Sequence, residues 1–129
     1  MDDTVAPVTA IGRTMHELSI AVSMVERILE ESESRGGLKV EAVHLKLGVL
    51  SGVDKDALLF SYEIACEGTP LAGSKLVIEM IPLLIYCETC TADSSPASIQ
   101  HISCGRCDTP SHKIIGGREI EVTALEVAA

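Results

Sequence analysis

The chain is predicted to fold as an α+β domain, two helices packed on a three-stranded sheet, with a small cysteine-rich module inserted before the last strand. Three observations lead there. Apolar residues recur at three- and four-residue steps between Leu18 and Ser34; apolar and other residues alternate from Val43 to Val49; and two C-x-x-C pairs punctuate a late segment that holds few aliphatic residues.

The first helix is read from Leu18, Ala21, Val22, Val25, Ile28 and Leu29, which fall on one face of a 3.6-residue period. Thr14-Met15-His16-Glu17 fits the T-x-x-E capping pattern, with Thr14 as the N-cap. Gly36-Gly37 ends this helix. Val43, Leu45, Leu47 and Val49 then alternate with His44, Lys46 and Gly48, the two-residue period of a half-buried strand. After the Ser51-Gly52 turn, Asp54 or Asp56 can cap a second helix with Leu58, Tyr62, Ala65 and Cys66 on its apolar face. Gly68 and Pro70 stop it. Lys75 to Tyr86 reads as one long strand with Pro82 at an edge or bulge, and Arg118 to Val127 as the third strand, with a change of face near Leu125. The expected organisation is an N-terminal extension over 1–14, expected to be flexible, a main domain over 15–86 and 114–129, and an insert over 87–113.

Composition narrows the function. The core must be aliphatic, because the chain holds one Phe, two Tyr and no Trp within a hydrophobic content of 47%. The net charge of −9, and the single Arg and absence of Lys between Cys87 and Cys107, oppose a phosphate backbone, so nucleic acid is not an expected partner. No apolar run approaches the roughly 20 residues a membrane helix needs. The first fourteen residues begin with two aspartates after Met1 and lack the basic and apolar regions of an export signal, so a cytoplasmic protein is expected.

Cys87-Glu88-Thr89-Cys90 and Cys104-Gly105-Arg106-Cys107 are separated by thirteen residues. Each pair turns two sulfurs toward one point, and together they complete the four-thiolate tetrahedron that zinc takes in structural sites. Iron shares this ligand set, and two disulfides would need an oxidising compartment; zinc is the expected occupant. Four sulfurs leave no open position for a reacting water, so the metal is expected to be structural. An insert this short buries too little apolar surface to fold alone, and metal binding supplies the difference. Cys66 is expected to be a buried small hydrophobe, and His101 and His112 to lie at the surface or behind the ligands.

The string Met15-His16-Glu17-Leu18-Ser19-Ile20-Ala21, the helix–strand–helix–strand order, the C-x-x-C…C-x-x-C insert and the closing Gly117-Arg118-Glu119-Ile120-Glu121-Val122 together resemble the HypA/HybF family of hydrogenase nickel-incorporation proteins, from Met15 to about Val127. The resemblance implies structural zinc on Cys87, Cys90, Cys104 and Cys107, and transported nickel on Met15, His16 and Glu17, with Asp54 where the family often carries an acidic residue near the nickel. It also implies a nickel-handling GTPase and the large subunit of [NiFe]-hydrogenase as partners, with urease maturation proteins as a further set. In the family Met-His-Glu begins the chain; here fourteen residues precede Met15, so either Met15 is the true start or processing exposes it, or nickel is held by His16 with other donors.

An alternative is a zinc-ribbon interaction adaptor with no transported metal. An enzyme is not expected, because a Cys66–His44 pair is the only nucleophile–base candidate and no third group supports it.

Overall fold

The computed structural model describes residues 5–96 and 98–128, with side chains described from His16 onward. The elements in chain order are α1 (Val5–Ser34), β1 (Val40–Gly48), α2 (Lys55–Cys66), β2 (Lys75–Ile81), β3 (Leu84–Cys87), β4 (Ala92–Ser94), β5 (Ile114–Gly116) and β6 (Ile120–Val127). This is the expected α+β class, with two helices, but with two three-stranded sheets, ordered β2-β1-β6 and β4-β3-β5.

Two sequence expectations are corrected. The helix that Thr14 was expected to cap begins at Val5, so Thr14 lies inside it. Pro7 permits this start, because it falls in the first turn, where a backbone N–H has no helical partner to lose. The single strand expected over Lys75–Tyr86 is two strands, β2 and β3, which belong to different sheets and are parted at Pro82-Leu83. Proline has no N–H for the ladder and a restricted φ, so pairing stops there. The small strands β4 and β5 have three residues each, too few to show a period in sequence.

The chain divides into two compact units. The first comprises residues up to His44, Val53–Val77 and from Thr123 on. Here α1 packs against α2. Ala21, Met24, Val25 and Ile28 of α1, Leu58, Tyr62 and Cys66 of α2, and Val40, Ala42 and Val43 of β1 are buried. Burying one such aliphatic side chain contributes on the order of 1.5–3 kcal/mol. The α2 N-terminus is capped by Asp54, whose carboxylate accepts the Ala57 N–H at 3.3 Å. At the other end of α1, the Gly36 and Gly37 φ angles of 86° and 88° require the left-handed region that glycine enters freely.

The second unit comprises Leu45–Gly52 and Ile78–Val122. Its buried residues include Leu45, Leu47, Leu83, Ile85, Cys87 and Cys104. β3 pairs antiparallel with β4 through Ile85↔Ser94, Tyr86↔Asp93 and Cys87↔Ala92, and with β5 on its other side. At Gly48 the backbone runs directly against Gly117: a Cβ placed on Gly48 would lie 2.1 Å from the Gly117 carbonyl carbon and oxygen. The Gly48 N–H donates to the Glu119 carbonyl at 2.7 Å, and the Leu50 N–H to the Gly117 carbonyl at 2.6 Å. The first of these, with the Ala128 N–H donating to Lys39 at 2.9 Å, makes β1 and β6 antiparallel.

Candidate functional site

β3 delivers Cys87 at its last residue, and the turn after it places Cys90. The Cys90 N–H points back to the Cys87 Sγ at 3.4 Å, and the Arg106 N–H to the Cys104 Sγ at 3.4 Å. The residue after each pair, Thr91 at φ 49° and Asp108 at φ 62°, is left-handed, so both turns leave their cysteine pair through the same backbone region. Gly105 is required by close approach, because a Cβ there would meet the Ser95 carbonyl oxygen at 2.4 Å.

These turns bring all four sulfurs within 4.8 Å of one another. Cys87 and Cys107 stand 3.6 Å apart and Cys90 and Cys104 3.9 Å apart. A tetrahedral ion with Zn–S bonds of about 2.3 Å needs sulfurs about 3.8 Å apart, so the donor set fits zinc in geometry as well as in softness. Such an ion would hold the two turns together and supply the folding energy that this small sheet lacks.

The surrounding chain prepares the sulfurs for metal. The buried Ser94 hydroxyl lies 3.2 Å from the Cys104 Sγ and, with the Arg106 and Cys107 backbone N–H groups, draws that thiol down to about 5. The Thr109 hydroxyl, 3.1 Å from Cys107, lowers its thiol as well. Contact with Cys107 pushes Cys90 up to about 12. Cys104 is thus the sulfur most ready to bind as a thiolate, Cys107 is eased the same way, and an ion bound here would displace the remaining protons. The Arg106 guanidinium donates to the Asp93 carbonyl at 3.0 Å and brings a positive charge to the Cys90 and Cys104 sulfurs. Ser94, Thr109 and this role of Arg106 carry no sequence signal, because nothing in their spacing marks them.

The Met15-His16-Glu17 segment lies within α1. The Met15 side chain lies outside the described residues. His16 is exposed and Glu17 is fully buried. The Glu17 carboxylate does not reach back along its own helix as the capping pattern suggests. Its Oε2 accepts the Asp54 backbone N–H at 2.7 Å, and its Oε1 is buried without a hydrogen-bond partner among the described residues. Asp54 therefore sits beside the Met15-His16-Glu17 turn while also capping α2. Cys66 is buried beside Tyr62, and burial pushes its thiol up. His44 bonds Glu126 instead of Cys66. His101 is exposed, 3.9 Å from the Asp108 carboxylate, and His112 is also exposed.

Residues 15–127 match the family model described as hydrogenase/urease nickel incorporation, metallochaperone, hypA. The chain is 48% identical over 113 residues to a hydrogenase maturation factor HypA of Roseiflexus, covering 87% of this chain and 91% of that protein. It is 46% identical over 112 residues to the factor of the same name from Chloroflexus aurantiacus, covering 87% and 98%. The fold is similar to two solution structures, one of a HypA protein with a TM-score of 0.67 and one of the Ni metallochaperone HypA from Helicobacter pylori with a TM-score of 0.61. Each is 23% identical and aligns with 88% of this chain and 97% of the other.

Proposed function

Because the chain belongs to the HypA family of hydrogenase and urease nickel-incorporation metallochaperones, we propose that it carries Ni(II) at Met15, His16 and Glu17 and hands it on during [NiFe]-hydrogenase maturation. Zinc on Cys87, Cys90, Cys104 and Cys107 keeps the insert over 87–113 folded, while the domain over 15–86 and 114–129 holds the nickel. The chain acts as a carrier in the cytoplasm, not as an enzyme. Its partners are a nickel-handling GTPase and the hydrogenase large subunit, with urease maturation proteins as a further recipient set.

The observation that carries this reading is the buried Glu17 Oε1, which has no hydrogen-bond partner among the described residues, next in sequence to the exposed His16. An unsatisfied buried carboxylate oxygen costs about 1–3 kcal/mol or more, and a cation brought to this turn removes that cost. One imidazole with backbone nitrogens makes a nitrogen-rich, near-planar site suited to Ni(II), and those nitrogens release the ion when they regain their protons. The thiolate site serves a different end, since a closed shell of four sulfurs retains its ion. Among the described residues, no helix is long and apolar enough to cross a membrane.

A nickel titration of the zinc-loaded protein tests this. His16→Ala should abolish specific nickel uptake and leave zinc content and melting behaviour unchanged. Equal nickel affinity in parent and variant would move the site elsewhere, and no specific uptake by the parent would leave an adaptor without cargo.

A further inference from the structure

We infer that the exposed face of α2 docks a basic amphipathic helix of a partner protein, with a partner Arg or Lys seated between Glu63 and Glu67. Phe60, the chain's one phenylalanine, is 64% exposed, and Ile64, one turn later on the same face, is 42% exposed. Single exposed apolar residues are ordinary on a protein surface, but a pair at i, i+4 makes a continuous ridge. Asp56, Glu63 and Glu67 are exposed along the same face, since steps of three, four and seven residues return to one side of a helix.

The carboxylates are misplaced for the helix itself. Glu63 and Glu67 lie at the C-terminal end of α2, where the helix dipole disfavours negative charge, and the last turn holds no basic residue. Neither makes an ion pair among the described residues. Both line a cavity of about 330 Å³ together with Cys66, Ala72, Gly73, Ser74 and Lys75. An incoming cation would gain both carboxylates and the helix C-terminus, while its apolar neighbours cover Phe60 and Ile64. Lys75 adds one positive charge to this wall, which two carboxylates outweigh. The charge pattern thus selects a basic partner, and disfavours a second copy of a chain whose net charge is −9.

The test uses the full, zinc-loaded chain and a helical peptide with leucines on one face flanked by arginines. Amide shifts on titration should change over residues 56–67 and 72–75. Phe60→Ser should weaken binding at least about tenfold, as expected for a buried aromatic anchor, and Glu63→Lys with Glu67→Lys should abolish it. A peptide with glutamate in place of arginine should not bind. Zinc content, helical circular dichroism and nickel uptake should stay at the parent level in every variant, which separates this surface from the nickel reading. Three outcomes overturn the proposal: shifts that map elsewhere, binding that survives both sets of substitutions, or a concentration-dependent dimer lost on Phe60→Ser.

Discussion

The carboxylate of Glu17 accepts the backbone N–H of Asp54 at 2.7 Å, across 37 residues of sequence. One hydrogen bond thereby joins the Met15-His16-Glu17 turn of α1 to the N-cap of α2. Asp54 in turn accepts from Ala57, so the first turn of α2 and the proposed nickel turn are linked through two consecutive bonds.

Replacing Glu17 separates its structural role from its electrostatic one. Glu17→Ala leaves the Asp54 N–H unsatisfied and opens a void, and should cost about 2–3 kcal/mol in urea unfolding. Glu17→Gln keeps an oxygen for Asp54 and offers an N–H₂ at the unpartnered position, so it should cost under about 1 kcal/mol while weakening nickel uptake. If Gln proves as destabilising as Ala, the negative charge itself holds the two helices.

The cysteine centre should unfold locally when its ion is lost. Cys87→Ser with Cys104→Ser should remove zinc and broaden the amide signals of residues 84–116. The α1–α2 core, which contains none of these sulfurs, should keep its helical circular dichroism. Full zinc retention in the double variant would defeat the four-thiolate assignment.

Backbone contact at Gly48 should make it intolerant of even one methyl group. Gly48→Ala sets a Cβ 2.1 Å from the Gly117 carbonyl and should cost about 3 kcal/mol, the upper end of common overpacking penalties. Gly36→Ala meets no atom within 4 Å and should cost only the left-handed strain, about 1 kcal/mol. Equal losses from the two substitutions, read from thermal unfolding, would contradict the close approach.

Alkaline stability should carry the signature of Tyr62. Burial, partly opposed by the Ser74 hydroxyl at 2.7 Å, pushes its phenol up to about 12, against about 10 in an unfolded chain. The folded state therefore holds this proton more tightly. Its stabilising contribution is complete below pH 10 and falls away as pH rises toward 12. Tyr62→Phe should be less stable at neutral pH by about 1 kcal/mol, for the lost hydrogen bond. It should also show a shallower decline between pH 10 and 12; an identical slope would show that Tyr62 does not control it.

What the sequence made legible was local. The Cys pairs, the Val43–Leu45–Leu47 alternation and the Asp54 cap each depend on neighbours within a few residues, and each stands in the structure as a recognisable unit. What it hid was set by distant partners. Thr14 to Glu17 satisfies a capping pattern, yet the Glu17 oxygen goes to Asp54, because a tertiary donor outcompetes a local one that the longer helix has already used. The stretch from Lys75 to Tyr86 is mostly β-branched and apolar, and Pro82 marks an interruption in it without showing that its two halves join different sheets rather than bulging within one. The hydroxyls of Ser94 and Thr109 reach the sulfurs only after the chain has folded around them.

The repeated left-handed turn after Cys90 and Cys107 has a kinetic consequence. The Cys87–Cys90 half is shaped by contacts within a few residues, whereas the Cys104–Cys107 half leans on Ser94 and Ser95, so the first half would grip an incoming ion with two sulfurs before the second arrives. The second half then joins by closing a loop of thirteen intervening residues, a step whose entropy grows only slowly with length. Departure retraces the same route. An ion leaving this centre would pass through a half-held stage, and a competing chelator would set the exchange rate by intercepting it there.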